Sequence, residues 1–127
     1  AHWPKDAFTA ETVEDVLLAL LGRTETTEDH MLNFSVGKPP VHAVDGQSVP
    51  VEIYSELENI ERLAILVDNN PFPLVMSFEL SRNVLLPFKT RIKVAEGESK
   101  IIVVASSAGG PLYMITHDIK VDTGGNA

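Results

Sequence analysis

From Leu32 onwards, apolar residues recur at every second position or in short unbroken runs, and turn residues separate these segments. Strict alternation is clearest between Phe88 and Val94, and a period of two is typical of a half-buried β-strand. The denser runs at 60–67 and 101–105 favour strands in the centre of a sheet. The predicted strands are 32–36, 49–53, 60–67, 74–80, 88–94, 101–105 and 112–117 with an extension to 121. About seven strands with no helix between them predict a mainly β chain, an immunoglobulin-like antiparallel β-sandwich.

One N-terminal α-helix is predicted before the strands. Residues 9–22 carry apolar side chains three and four positions apart, which places them on one face of a helix; they are Val13, Val16, Leu17 and Leu20. Thr12 is the predicted N-cap, and Gly22 is placed to end the helix in a left-handed conformation. We expect Trp3 and Phe8 to anchor an extended segment against the body of the protein.

Length and charge exclude several classes of protein. The chain has 127 residues, which suits one domain with a single hydrophobic core. Its formal net charge of −8 argues against nucleic-acid binding, because Lys and Arg must neutralise phosphates there, and against attraction to anionic membranes. No apolar run approaches the ~20 residues of a membrane span. The chain begins at Ala1, which is consistent with an exported protein whose signal peptide has been removed.

The sequence shows no recognisable catalytic or metal-binding pattern. It contains no cysteine, which excludes disulfides, thiolate nucleophiles and Cys-ligated metals in the chain as written. The four histidines lack the spacing of a helical zinc site; they are His2, His30, His42 and His117. The carboxylates are expected on solvated faces, and no serine lies in a G-x-S-x-G elbow. We therefore expect no enzyme activity, no metal and no cofactor.

Two segments are candidates for contact with a partner. The loop 69–74 holds Pro71 and Pro73, which stiffen it and lower the entropy cost of presenting Phe72. Phe72 then either caps the core from a rigid turn or forms an exposed aromatic anchor for another protein. The alternating basic residues Lys89 to Lys93 indicate either a solvated strand face or a basic patch beside a docking surface.

The chain ends in a strand-like run, 119–121, followed by Asp-Thr-Gly-Gly-Asn-Ala. The glycines Gly124 and Gly125 relax the backbone restrictions that hold other residues in line. A six-residue tail after Val121 spans roughly 20 Å when extended, at about 3.3–3.6 Å per residue. That length is enough to place a terminal residue in the pocket of another protein.

Several further segments occur in a characteristic order and spacing along nearly the whole chain. They are the start through Phe8, the helix end at Leu21-Gly22, the segments 49–53 and 65–74, Phe78, the strand 90–93, and the run 119–121 leading to Gly124-Gly125. In these segments the chain resembles the SoxY family, the sulfur carriers of bacterial thiosulfate oxidation. The tail is similar to the carboxy-terminal arm of that family, which normally has the sequence Gly-Gly-Cys-Gly-Gly.

The resemblance implies an immunoglobulin-like sandwich in the periplasm, paired as a heterodimer with a SoxZ-like β-sandwich subunit and served by the Sox enzymes. It implies a sandwich domain over 1–121 and a flexible arm over 122–127, with Gly124 and Gly125 as the hinge. The arm cysteine of the family holds sulfur intermediates covalently while the enzymes oxidise and hydrolyse them. Here Asn126 stands at that attachment position, and its amide is neither nucleophilic nor redox-active.

Three interpretations of Asn126 stay open at the level of sequence. The cysteine has been replaced or trimmed away from a carrier, or the chain is a natural relative that lost carriage and keeps a structural or docking role. In the third, the protein is a periplasmic sandwich that binds other proteins.

Overall fold

The computed structural model describes residues 5–27, 32–34, 41–55, 60–79, 88–107 and 111–122. These ranges contain two helices and nine strands. The helices are α1 Lys5–Thr9 and α2 Val13–Leu21. The strands are β1 Thr26–Thr27, β2 Leu32–Phe34, β3 His42–Ala43, β4 Val49–Ser55, β5 Ile60–Val67, β6 Leu74–Glu79, β7 Phe88–Ile92, β8 Gly97–Ser107 and β9 Leu112–Val121.

The strands form two sheets, and the β-sandwich predicted from the sequence is confirmed. The larger sheet has the order β1-β9-β8-β5-β6, with β3 also paired to β9, and the smaller has the order β2-β4-β7. The long strands pair antiparallel, as expected. The two-residue strands β1 and β3, which the sequence analysis did not predict, lie parallel to β9 at its two ends.

Apolar side chains from both sheets fill the space between them. From the larger sheet, β5 contributes Leu63, Ile65 and Val67, and β8 contributes alternate residues of its own. The smaller sheet contributes Val49, Val51 and Ile53 of β4 and Ile92 of β7. The alternation along each strand therefore places one face of every long strand in this core, as a period of two requires.

A second core lies on the opposite face of the larger sheet, beneath the helices. Ala7 of α1 and Val16 and Leu17 of α2 pack there against Ala64 and Leu66 of β5, with Leu74, Ile102, Val104 and Leu112 from the neighbouring strands. The central strands β5 and β8 are thus buried on both faces over most of their length. This double burial is the physical reason for the unbroken apolar runs at 63–67 and 101–105, because no side chain in those runs faces water.

Local signals at the ends of α2 act as predicted. The backbone N–H of Asp15 donates to Thr12 Oγ1 at 3.1 Å, and Gly22 ends the helix with φ 77° and an N–H bond to the Leu18 carbonyl. The expected extended segment around Phe8 is wrong, since Lys5–Thr9 form the short helix α1. One turn of helix is too short to show periodicity in sequence, and burial of Ala7 against the sheet stabilises it instead. Trp3 lies outside the described residues.

We expect truncation of either face of β5 to destabilise the protein. Ile65→Ala removes packing between the sheets, and Leu66→Ala removes packing beneath the helices, so each should lower the free energy of unfolding by about 2–5 kcal/mol. Chemical denaturation measures both, and Glu61→Ala at an exposed position of the same strand should stay within about 0.5 kcal/mol of the parent. A negligible effect of Leu66→Ala would contradict the second core.

Candidate functional site

The residues predicted to carry function at the end of the chain, Gly124, Gly125 and Asn126, lie outside the described residues. The structure describes the residues that come just before them and shows where on the sandwich those residues lie. We call residues 120–122 the arm root. Val121 is buried in the core between the sheets, and Asp122 is the last described residue.

The arm root is bonded to the segment that precedes β4. The backbone N–H of Lys120 donates to the Val41 carbonyl at 2.9 Å, and the N–H of Asp122 donates to the Ala43 carbonyl at 2.9 Å. These bonds form the short parallel pairing of β3 with β9. Together with the burial of Val121, they hold the chain to the sandwich as far as Asp122.

Gly46 allows the segment before β4 to pass close to the arm root. Its carbonyl accepts a hydrogen bond from the Val94 N–H at 2.7 Å. A Cβ on Gly46 would collide with the Val94 carbonyl oxygen and would lie 3.0 Å from Val121 Cγ1. Glycine is therefore required here by close approach. The sequence analysis missed this role, although an Asp-Gly pair is a known turn signal.

The loop 68–73 between β5 and β6 lies at the same end of the sandwich and is held by side-chain amides. The Asn70 side chain donates from Nδ2 to the Lys93 carbonyl at 3.0 Å and accepts at Oδ1 from the Ala95 N–H at 2.8 Å. Asn69 Nδ2 donates to the Glu96 carbonyl at 3.1 Å. These two neighbouring asparagines fasten the loop to the segment that joins β7 to β8.

Further bonds close the base of this loop. The Val67 N–H donates to the Pro73 carbonyl at 2.8 Å, and Asp68 Oδ1 accepts from the Lys100 N–H at 2.8 Å. Both ends of the loop are therefore fixed to the larger sheet. These bonds fix the conformation of the loop, as its two prolines predict.

Phe72 projects from this loop into solvent. The residue is 53% exposed, so the interpretation in which it caps the core is wrong. The structure agrees with the other interpretation to the extent that Phe72 is an exposed aromatic side chain on a rigid loop. Its contact with a partner stays a prediction.

The strand register places Phe72 and the arm root at one end of the molecule. Val67, the last residue of β5, pairs with Ile101 near the start of β8, and Gly97 at that start pairs with Val121. The strands β5 and β9 flank β8, so they lie about 10 Å apart at roughly 4.8 Å per strand. We call this end of the sandwich the arm end.

The basic residues of β7 lie on the outer face of the smaller sheet and are partly neutralised. Lys89 Nζ lies 3.4 Å from Glu52 Oε2, and Arg91 Nη1 donates to the Ser48 carbonyl at 3.4 Å. Both side chains are exposed at the surface. This geometry favours the interpretation of a solvated strand face.

Other charged groups form exposed contacts. Lys100 Nζ donates to Asp118 Oδ1 at 2.7 Å, and this hydrogen bond, reinforced by the opposite charges, raises the pKa of Lys100 and lowers that of Asp118. His42 and His117 lie on β3 and β9, while His2 and His30 are outside the described residues. Among the residues that the structure describes, no group of three or more His, Asp or Glu could hold a metal ion, and no helix is long and apolar enough to cross a membrane.

The comparison with protein families decides the assignment of the chain. The profile of the sulfur oxidation protein SoxY matches residues 18–125, which include the arm root and both glycines of the tail. The chain belongs to the SoxY family. Asn126 lies one position beyond the matched range, so the match does not test the expected attachment position.

Solved structures agree with this assignment. The sulfur carrier protein SoxY from Chlorobium limicola f thiosulfatophilum is 25% identical, with a TM-score of 0.74 over 94% of this chain and 100% of that one. Two more distant likenesses show the fold alone. The fibronectin(III)-like modules of CbhA from Clostridium thermocellum are 20% identical, with a TM-score of 0.53 over 72% of this chain and 96% of that one. A superoxide reductase (neelaredoxin) from Ignicoccus hospitalis is 13% identical, with a TM-score of 0.58 over 75% and 82%. No curated protein matches the chain significantly.

We expect Gly46→Ala to loosen the arm root. The added methyl group must displace the Val94 carbonyl, so the free energy of unfolding should fall by about 1–3 kcal/mol. Amide hydrogen exchange at Lys120 and Asp122 should accelerate, because their acceptors lie in the displaced segment. Gln47→Ala, at the exposed neighbouring position, is the control and should change neither quantity. Unchanged exchange in Gly46→Ala would contradict the close approach described above.

We expect Asn70→Ala to release the Phe72 loop. It removes two hydrogen bonds and leaves the Ala95 N–H without its acceptor, so we expect a loss of about 1–3 kcal/mol of stability. Exchange of the Ala95 amide should accelerate. Asn69→Ala, which removes one bond, should have a smaller effect. Equal losses of stability in the two variants would show that the hydrogen bonds of Asn70 are not the main interactions that hold the loop.

Proposed function

We propose that this chain is a SoxY-type sulfur-carrier subunit of periplasmic thiosulfate oxidation, with Asn126 at the position of the attachment cysteine. The observation that supports the proposal most is the family match, which runs through β9 and the arm root to Gly125. In this proposal the protein is a carrier rather than an enzyme. It works as a heterodimer with a SoxZ-like subunit and presents its terminus to the Sox enzymes.

The geometry of the arm root suits a tethered substrate. The sandwich holds the chain through Asp122, so in the proposed arrangement only the following residues act as the arm, with Gly124 and Gly125 as its hinge. Five residues reach roughly 17 Å at about 3.3–3.6 Å per residue. A short tether of this kind keeps the attached group at high effective concentration beside a docked enzyme.

The attachment chemistry requires a thiol. A thiolate forms and exchanges bonds to sulfur, whereas the amide of Asn126 does neither. The chain contains no cysteine that could substitute for it elsewhere. The carrier in this proposal is therefore the form with cysteine at position 126, and the chain as written is its variant or non-carrying form.

A second candidate function is a thiol-less structural or adaptor subunit of the same system. Two observations favour it: the complete absence of cysteine and the exposed, rigidly mounted Phe72. Such a subunit would pair with the SoxZ-like protein and dock with the enzymes without binding sulfur. A periplasmic binding module outside the Sox system would share the sandwich but not these partners.

We expect Asn126→Cys to convert the chain into a functional carrier. The variant, mixed with the SoxZ-like subunit, thiosulfate, the Sox enzymes and an electron acceptor, should acquire sulfur adducts at position 126 that are seen by intact-protein and peptide mass spectrometry. The acceptor is needed because joining a thiol to thiosulfate releases a proton and two electrons. Asn126→Ser is the matched control, because it places a hydroxyl where the thiol would be, and it should stay unmodified.

The alternatives give different results in the same experiment. If the enzymes load the Chlorobium SoxY but leave Asn126→Cys unmodified, the carrier proposal is wrong. Co-purification of the unmodified chain with the SoxZ-like subunit and a Sox enzyme would then support the adaptor. Failure to bind either partner would point to a module outside the system.

A further inference from the structure

Exposed large apolar side chains are concentrated at the arm end of the sandwich. Four such residues occur among the described residues: Val41 at 71%, Val44 at 69%, Phe72 at 53% and Leu18 at 52% exposed. Single apolar residues on a surface are common and need no explanation. Three of these four, however, lie at the arm end, with Val41 and Val44 beside the arm root and Phe72 on the loop 68–73. We call Val41, Val44 and Phe72 the apolar rim.

The two valines of the rim stand directly beside the arm root. The Val41 carbonyl accepts the hydrogen bond from Lys120, and Val44 follows Ala43, whose carbonyl accepts from Asp122. The backbone carbonyls of this segment thus accept hydrogen bonds from the end of the chain at 120 and 122. Its apolar side chains are left facing solvent.

Phe72 belongs to the same rim because a single backbone segment joins the two loops. The adjacent N–H groups of Val94 and Ala95 donate to Gly46 of one loop and to Asn70 of the other, at 2.7 and 2.8 Å. The positions of the valine segment and the Phe72 loop are therefore set by neighbouring residues. Both loops of the rim are therefore fixed to the segment that joins β7 to β8.

A rigid apolar surface is suited to binding. Apolar clusters on a protein surface mark sites of interaction, and aromatic anchors dominate the affinity of many interfaces. Groups that are already held in place lose little conformational entropy when they dock. The hydrogen bonds of Asn69 and Asn70 hold the Phe72 loop in place in the unbound protein.

We propose that the apolar rim docks on an apolar surface around the entrance of the enzyme pocket that receives the arm. The proposal rests on the proposed function. An arm that reaches roughly 17 Å brings the enzyme surface within that distance of Asp122. Val41 and Val44 lie beside this residue and Phe72 lies at the same end of the sandwich, so the rim faces the enzyme when the arm enters. Docking there aligns the arm with the pocket, and the arm residue then supplies the chemistry.

Leu18 provides a matched control. Its exposure, 52%, is close to the 53% of Phe72, but it lies beside Pro111 and Leu112 at the start of β9. The ten residues of β9 separate the two ends by about 30 Å at roughly 3.3 Å per residue. Leu18→Ala therefore removes a similar exposed apolar group far from the arm.

The first measurement is kinetic and uses the Asn126→Cys carrier with the Sox enzyme that hydrolyses the loaded arm. We expect Phe72→Ala to raise KM for the carrier about tenfold, as loss of an aromatic anchor does. The value of kcat should stay unchanged, because the reacting group at position 126 is untouched. Leu18→Ala should leave both constants unchanged. A fall in kcat without a change in KM, or equal effects of the two variants, would overturn the proposal.

The second measurement is direct binding of the same enzyme to the chain with Asn126 unchanged. Phe72→Ala should weaken this binding about tenfold and Leu18→Ala should not. Because no sulfur is carried, this result stands even if Asn126→Cys is never loaded, so the two proposals fail separately. If Phe72→Ala instead abolishes pairing with the SoxZ-like subunit and leaves enzyme binding intact, the rim belongs to the subunit interface and the proposal is wrong. Thermal unfolding of both variants, expected to match the parent, excludes misfolding as the cause.

Discussion

Burial of β5 and β8 on both faces is the constraint on which the rest of this structure depends. One face of these strands packs against the smaller sheet and the other against the two helices. The strands that flank them, β6 and β9, are held by pairing to this doubly buried centre. The position of β9, and with it the place where the chain leaves the sandwich, follows from that arrangement.

The arm end combines a firm hold on the backbone with exposed apolar side chains. Hydrogen bonds from the segment 41–46 and from the Asn70 amide hold the loops, while Val41, Val44 and Phe72 face solvent. A carrier needs both properties at one place. The body must be rigid up to the start of the arm, so that docking of the body fixes the position from which the arm extends. The surface at that position must also carry side chains that can bind the enzyme.

Membership of the SoxY family and the absence of cysteine concern different parts of the chain. The family match is carried by the sandwich and by the approach to the tail. In the proposed function, the chemistry of sulfur attachment depends on one residue beyond it, Asn126. Docking surfaces can therefore persist in a chain whose attachment chemistry has changed, because the two depend on separate interactions. This separation is why carrier and adaptor are distinguished by experiments on position 126 rather than by the fold.

Patterns in the sequence were sufficient for the seven longer strands, the helix α2 with its caps at Thr12 and Gly22, and the resemblance to the family. Each depends on neighbouring residues, such as alternation along a strand or a hydroxyl three positions from the amide it caps. The short elements α1, β1 and β3 escaped prediction because contacts from distant parts of the chain stabilise them. Only the tertiary structure decided that Phe72 is exposed, that Gly46 allows close approach to Val94, and that both lie at the arm end. These facts depend on which distant segments of the chain contact each other, and periodicity along the sequence does not predict such contacts.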